Sequence, residues 1–190
     1  MTARVFHSRP ALVTTVGPMV SGRWRSTPGP STTIPATLSV ERAHLIWLPA
    51  GLALQAMAVY VTGAAASTDL RFGIRADSGN IPGAVLLDAG TIAADVTGVR
   101  SLPITFTVPN TPVGPVGGVP LWLTVTPQGA GTVTMLATQP LSEMRDATTA
   151  NAALFYHGCV GQSGVTGALP GTFAVTISNA PAPTFAVQAA

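Results

Sequence analysis

Lysine is absent from this 190-residue chain, and charged residues of every kind make up only 8% of it. Ordinary soluble domains carry about 25% charged residues, and a monomer so poor in them has little electrostatic protection against association. Much of its surface is therefore expected to lie against partners or copies of itself. Cysteine is nearly absent too: Cys159 stands alone, which excludes an intrachain disulfide and a cysteine-rich zinc site. The histidines His7, His44 and His157 have no spacing that gathers metal ligands on one element. A Gly-x-Ser-x-Gly elbow is missing, since Gly161-Gln162-Ser163-Gly164 falls one residue short and reads as a glycine-rich turn. Cys159 and His157 share a strand face without a third group to orient them, so a tucked thiol is the expectation. There is no glycine-rich phosphate loop, and acids are too few for paired-carboxylate hydrolysis. No enzyme activity, metal or cofactor is expected.

Helix-period segments are lacking as well. Glycine and proline are abundant, with 20 and 17 residues, and both interrupt long helices while suiting short strands joined by turns. The clearest strand is Asp69 to Asp77, where Leu70, Phe72 and Ile74 alternate with Arg71, Gly73 and Arg75. An extended backbone sends the first three to one face and both guanidinium groups to the other. Ser78-Gly79-Asn80-Ile81-Pro82-Gly83 then supplies turn residues before the apolar run Ala84 to Gly90, so this stretch reads as a hairpin. Asp69, Asp77 and Asp88 flank it without the spacing of a calcium loop, and turn-forming aspartate is the plainer reading.

The same period-two pattern recurs. Ile104, Phe106 and Val108 alternate with Thr105 and Thr107; Leu121, Leu123 and Val125 with Trp122, Thr124 and Thr126; Phe173, Val175 and Ile177 with Ala174, Thr176 and Ser178. A further strand is read at Ala152 to His157, and Gln139 to Thr149 reads as a short helical turn or exposed loop. Phe72, Phe106 and Phe173 are expected to meet in one interior. Leu45 to Ala66 runs 22 residues without a charge, long enough for a bilayer-spanning helix. Pro49-Ala50-Gly51 cuts it, and two adjacent buried strands are preferred, with no insertion in a membrane. Short strands at this spacing predict an all-β, antiparallel two-sheet β-sandwich, jelly-roll-like, over residues 37–190.

Residues 1–36 read as an extended Pro-rich docking arm. Charge is concentrated there: through residue 42, Arg4, Arg9, Arg23, Arg25 and Arg42 face only Glu41, whereas acids outnumber arginines in the remainder. Dispersed arginines without interleaved aromatics are a poor nucleic-acid signature, and docking on an acidic protein surface fits them as well. Trp24, between Arg23 and Arg25, suits an anchor in a partner's pocket or a fold-back on its own domain. Trp47, Tyr60, Trp122 and Tyr156 are candidates for a platform on which a sugar ring stacks. The Thr105, Thr107, Thr124 and Thr126 faces suit packing against another copy.

The run Leu70-Arg71-Phe72-Gly73-Ile74, followed by Asp77, Pro82-Gly83, Leu86 to Thr91, Gly98 and Leu121-Trp122-Leu123, resembles the β-sandwich domain of tailed-phage virion proteins of minor tail, tail fibre or head fibre type. Gly167 to Phe173 resembles the segment that closes many such domains, and the similarity covers about residues 38–188. Arg75 stands where that pattern usually has an aromatic. The resemblance implies a structural protein located in the virion that self-associates, as a trimer, and whose arm docks on other virion proteins of head or tail. The alternative expectation is a carbohydrate-binding module that engages a host surface glycan.

Overall fold

The computed structural model describes residues 19–27, 31–79, 81–111, 118–138, 159–175, 177–178 and 181–190. Every regular element among them is a β-strand. In chain order these are β1 (Trp24–Ser26), β2 (Ser31–Ala36), β3 (Glu41–Pro49), β4 (Ala53–Gly63), β5 (Thr68–Asp77), β6 (Pro82–Ala93) and β7 (Gly98–Thr107). They continue with β8 (Gly118–Gly129), β9 (Val133–Thr138), β10 (Cys159–Gln162), β11 (Ile177–Ser178), β12 (Ala182–Pro183) and β13 (Phe185–Ala189). Strands β1, β2, β4, β7, β9, β12 and β13 form a seven-stranded sheet, and the other strands a six-stranded sheet in the order β11-β10-β3-β8-β5-β6. All pairings are antiparallel. The fold is the expected all-β, two-sheet antiparallel sandwich.

Alternation explains where the core lies. Leu70, Phe72 and Ile74 of β5 and Leu121, Leu123 and Val125 of β8 project from one sheet onto Met57, Val59 and Val61 of β4 and Phe185 and Val187 of β13 in the other. Each such side chain, fully buried, contributes about 1.5–3 kcal/mol. The long uncharged stretch resolves into β3 and β4, which turn at Ala50-Gly51 and enter opposite sheets. Gly51 supplies the positive φ of 73° there, a conformation that costs glycine nothing. No helix among the described residues is long and apolar enough to cross a membrane.

Three expectations are corrected. The boundary at residue 36 does not separate an arm from the sandwich, because β1 pairs with β13 and β2 pairs with β9 along its whole length. The open backbone edges of those strands need donors and acceptors, and even the segment containing Pro35 supplies them from an edge position. Residues 1–18 and 28–30 lie outside the described residues. Phe173 to Val175 is not strand, and only Ile177–Ser178 of that stretch pairs, with β10. Accordingly Phe72 and Phe106 share the interior, whereas Phe173 packs outside the six-stranded sheet. The readings at Gln139 to Thr149 and Ala152 to His157 fall outside the described residues.

Candidate functional site: the two outer faces of the sandwich

Register sends Glu41, Ala43, Leu45 and Trp47 of β3, Trp122, Thr124 and Thr126 of β8, and Asp69, Arg71, Gly73, Arg75 and Asp77 of β5 to the outer face of the six-stranded sheet. That face is nevertheless dry at its centre. Residues 163–175 run across it as a strap. Val165 N–H donates to the Ser39 carbonyl (2.9 Å), Gln128 Nε2 to Gly167 O (2.7 Å), and Leu169 N–H to Asp88 Oδ2 (3.1 Å). Under the strap, Arg75 Nε and Nη2 grip Glu41 Oε1 and Oε2 at 2.8 and 2.9 Å, with both side chains fully buried. Nη1 also donates to Gly83 O (3.1 Å) and Nη2 to Pro170 O (3.0 Å), and the Phe173 ring lies 5.1 Å from Arg75 Cζ. Gln162 donates to Glu41 Oε2 and accepts from Ala174 N–H, so it ties the ion pair to the strap.

Gly73 is what lets the strap approach. A Cβ at that position would lie 2.1 Å from Leu169 Cδ1 and 2.9 Å from Thr124 Oγ1. Arg75 is therefore an interior cation rather than a surface feature. It is satisfied at all three of its nitrogens, an arrangement in which a buried charge is tolerated.

Neighbouring carboxylates are also committed. Arg71 Nε and Nη2 hold both Asp88 oxygens at 2.8 Å. Burial pushes the Asp88 carboxyl up, but the hydrogen bond and charge of Arg71 and the Leu169 and Gly90 N–H donors outweigh it and hold the group below its ordinary value. Asp77 Oδ1 accepts from Trp122 Nε1 at 2.8 Å. No cluster of His, Cys, Asp or Glu among the described residues has metal-site geometry. His44 is buried on the core side, where its Nδ1 faces Pro183 O at 3.4 Å. Desolvation lowers its pKa to about 4 against the opposing effect of that carbonyl. Arg42, on the same side, reaches Pro181 O, so the two residues clasp the sheets together at one edge.

The outer face of the seven-stranded sheet has the opposite character. Among its strands the only charged residues are Arg25 and Arg100, and register pairs them with the core-facing Val187 and Val59. The outward side chains of its strands therefore carry no charge. Ser26, Ala186, Ala58 and Ser101 form one transverse row, all of small side chains, and Trp24, Gln188, Ala56 and Pro103 form a second, mixed row. Tyr60 and Val99, a directly opposed pair, stand 46% and 65% exposed, and Trp24 at the edge is 44% exposed. A groove of about 120 Å³ lies between Ala58, Ala186, Tyr60, Val99, Leu136 and Thr184.

No protein-family model matches this chain, and no curated protein matches it. The four aromatics singled out in the sequence do not converge: Trp122 is fully buried beneath the strap, Trp47 is 37% exposed on that same sheet, and Tyr60 is on the opposite side of the molecule. Tyr156 lies outside the described residues. Side-chain parity and the strap thus keep Trp47, Tyr60 and Trp122 from sharing one exposed surface. Of the docking residues, Arg23 and Trp24 are exposed and Arg25 is half-buried, while Arg4 and Arg9 lie outside the described residues. Thr124 and Thr126, expected against another copy, are buried by the chain itself, whereas Thr105 and Thr107 are exposed. Sequence reasoning missed Glu41 and Gln162. The available signal was Arg75 itself, a cation that strand alternation places beside Gly73 on the face away from the core.

Proposed function

We propose that this chain is a structural protein that self-associates through the outer face of its seven-stranded sheet, and that it serves as a fibre, spike or minor tail component of a tailed-phage virion. The observation that carries the self-association is the absence of charge among the described residues of a sheet face on which Trp24, Tyr60 and Val99 stand exposed, while the charged face is closed by the chain's own strap. A contiguous uncharged surface with exposed aromatics is what protein interfaces select, because it desolvates cheaply and fills area with rigid rings. The virion assignment and the docking of the N-terminal residues on neighbouring head or tail proteins rest on the resemblance of Leu70 to Thr91 and Gly167 to Phe173 to virion sandwich domains. Neither enzyme activity, a cofactor nor nucleic-acid binding forms part of this reading.

The test is the mass of the purified chain in solution, with and without residues 1–18. Truncation stops there because residues 24–26 and 31–36 are strands of the sandwich. A monomer at every concentration sinks the self-association, and absence of the chain's peptides from purified particles of the phage that encodes it sinks the virion role. A second reading, glycan recognition, is favoured by one observation: Trp24 and Tyr60 share a face with Ser26, Ser101 and Gln188 and no charge. From strand spacing and rise their Cα atoms are about 16 Å apart, a span for several sugar rings rather than one. Glycan-array binding that is lost in Trp24→Ala and Tyr60→Ala would support it.

A further inference from the structure

The self-association proposed above has a geometry written on the same face. Tyr60 and Val99 form a ridge, and beside it the floor drops to Ala58 and Ala186, with Leu136 and Thr184 closing the far side. Ridge and groove are adjacent on one surface. A twofold axis lying in the plane of that face, along the boundary between them, sets each copy's ridge over the other's groove. We infer that the chain forms an isologous dimer, sheet face on sheet face, with Tyr60 and Val99 of each copy seated against Ala186, Leu136 and Thr184 of its mate, over a floor closed by the buried Ala58. The inference rests on the self-association reading and specifies its partner and symmetry.

Two further considerations select a second copy as the occupant. An uncharged face is electrostatically matched only by another uncharged face, and a charged one would leave its ions desolvated and unpaired. Area also suffices. Strands β1, β13, β4 and β7 span about 19 Å, and some eight residues along β4 add about 26 Å, so two copies cover roughly 1,000 Å² together, the lower bound of a specific interface. Aligned sheets pack about 10 Å apart, close enough for a tyrosine to meet an alanine floor. This outcome differs from the trimer expected from the resemblance.

Sedimentation equilibrium of the full chain over a range of concentrations tests the inference, with Ala58→Arg and Val99→Asp alongside and circular dichroism to verify the fold of each. The expected result is a reversible dimer whose dissociation constant rises at least a hundredfold in both variants. Should Ala58→Arg fail to fold, Val99→Asp carries the test alone, because Val99 is an exposed residue of an edge strand. A wild-type trimer, or a dimer that both folded variants leave intact, overturns the twofold arrangement and leaves self-association standing. A wild-type monomer overturns both.

Discussion

The two outer faces of this sandwich invert the usual relation between charge and solvent. Glu41, Arg71, Arg75 and Asp88 project from the six-stranded sheet, and a strap of the same chain covers them; the seven-stranded sheet presents no charge and is left bare among the described residues. A charged face can be covered only when the covering segment brings hydrogen-bonding groups, and residues 163–175 bring the Pro170 carbonyl and the Leu169 and Ala174 N–H groups. An apolar face needs no such matching, so any surface of complementary shape suffices. Among the described residues the charged face is closed by its own chain and the uncharged one is not.

The strongest way to break this contrast is to remove one member of the buried pair. Arg75→Met leaves the Glu41 carboxylate desolvated without its partner, and a loss of about 3–5 kcal/mol in urea unfolding is expected. The double variant Glu41→Leu with Arg75→Met should recover most of it, since both charges then leave together. A single variant within 0.5 kcal/mol of wild type would show that water reaches this pair.

Acid provides the next largest effect. The folded pKa of His44 lies near 4, below its ordinary 6.5, so the unfolded chain takes up the proton first. Stability is then whole above pH 6.5 and declines as pH falls toward 4, by roughly 3 kcal/mol in total. His44→Leu should flatten urea midpoints across this window; an unchanged slope would mean that the ring opens to solvent. Gly73→Ala comes third. Its Cβ collides with Leu169, and a loss of about 1–3 kcal/mol is expected, with partial recovery in the double variant carrying Leu169→Ala. Equal losses in the single and double variants would detach Gly73 from the strap.

Asp88→Asn sharpens the comparison at the strap's margin. The Arg71 pair is partly solvated, so its removal should cost only about 1 kcal/mol. Since the folded pKa of Asp88 is depressed, that contribution is present above the ordinary carboxylate range and disappears as pH falls through the folded value. Smallest of all should be Tyr60→Ser under monomeric conditions, a change within about 0.5 kcal/mol, because the ring is 46% exposed and lies outside the core. A large loss there would make Tyr60 part of the folding core and remove the functional contrast between the faces.

Much of the sandwich was legible beforehand. Alternation at Leu70 to Ile74 and at Leu121 to Val125 identified strands and their inward sides, and the Ser78 to Gly83 turn identified the hairpin. Boundaries failed where pairing, not pattern, decides: β1 and β2 contain no periodic signal of length, and they are strands because β13 and β9 offer them open edges. The separation of the aromatics was illegible for a similar reason. Period two tells that Trp122 and Trp47 point away from the core, but a face that points away from one core can be buried by another layer.

The sequence by itself determined that this chain would be β-structured, sparing in charge and divided into alternating sides, because those properties follow from backbone geometry and from local composition. Only the tertiary structure decided which outer side is sealed. Glu41, Arg75 and Gln162 are separated by 34 and 121 residues from Glu41 to its two partners, and the strap that closes over them arrives from still another part of the chain. Contacts of that range leave no periodicity to read, so the choice between a covered charged face and an open uncharged one became visible only when the sheets were assembled.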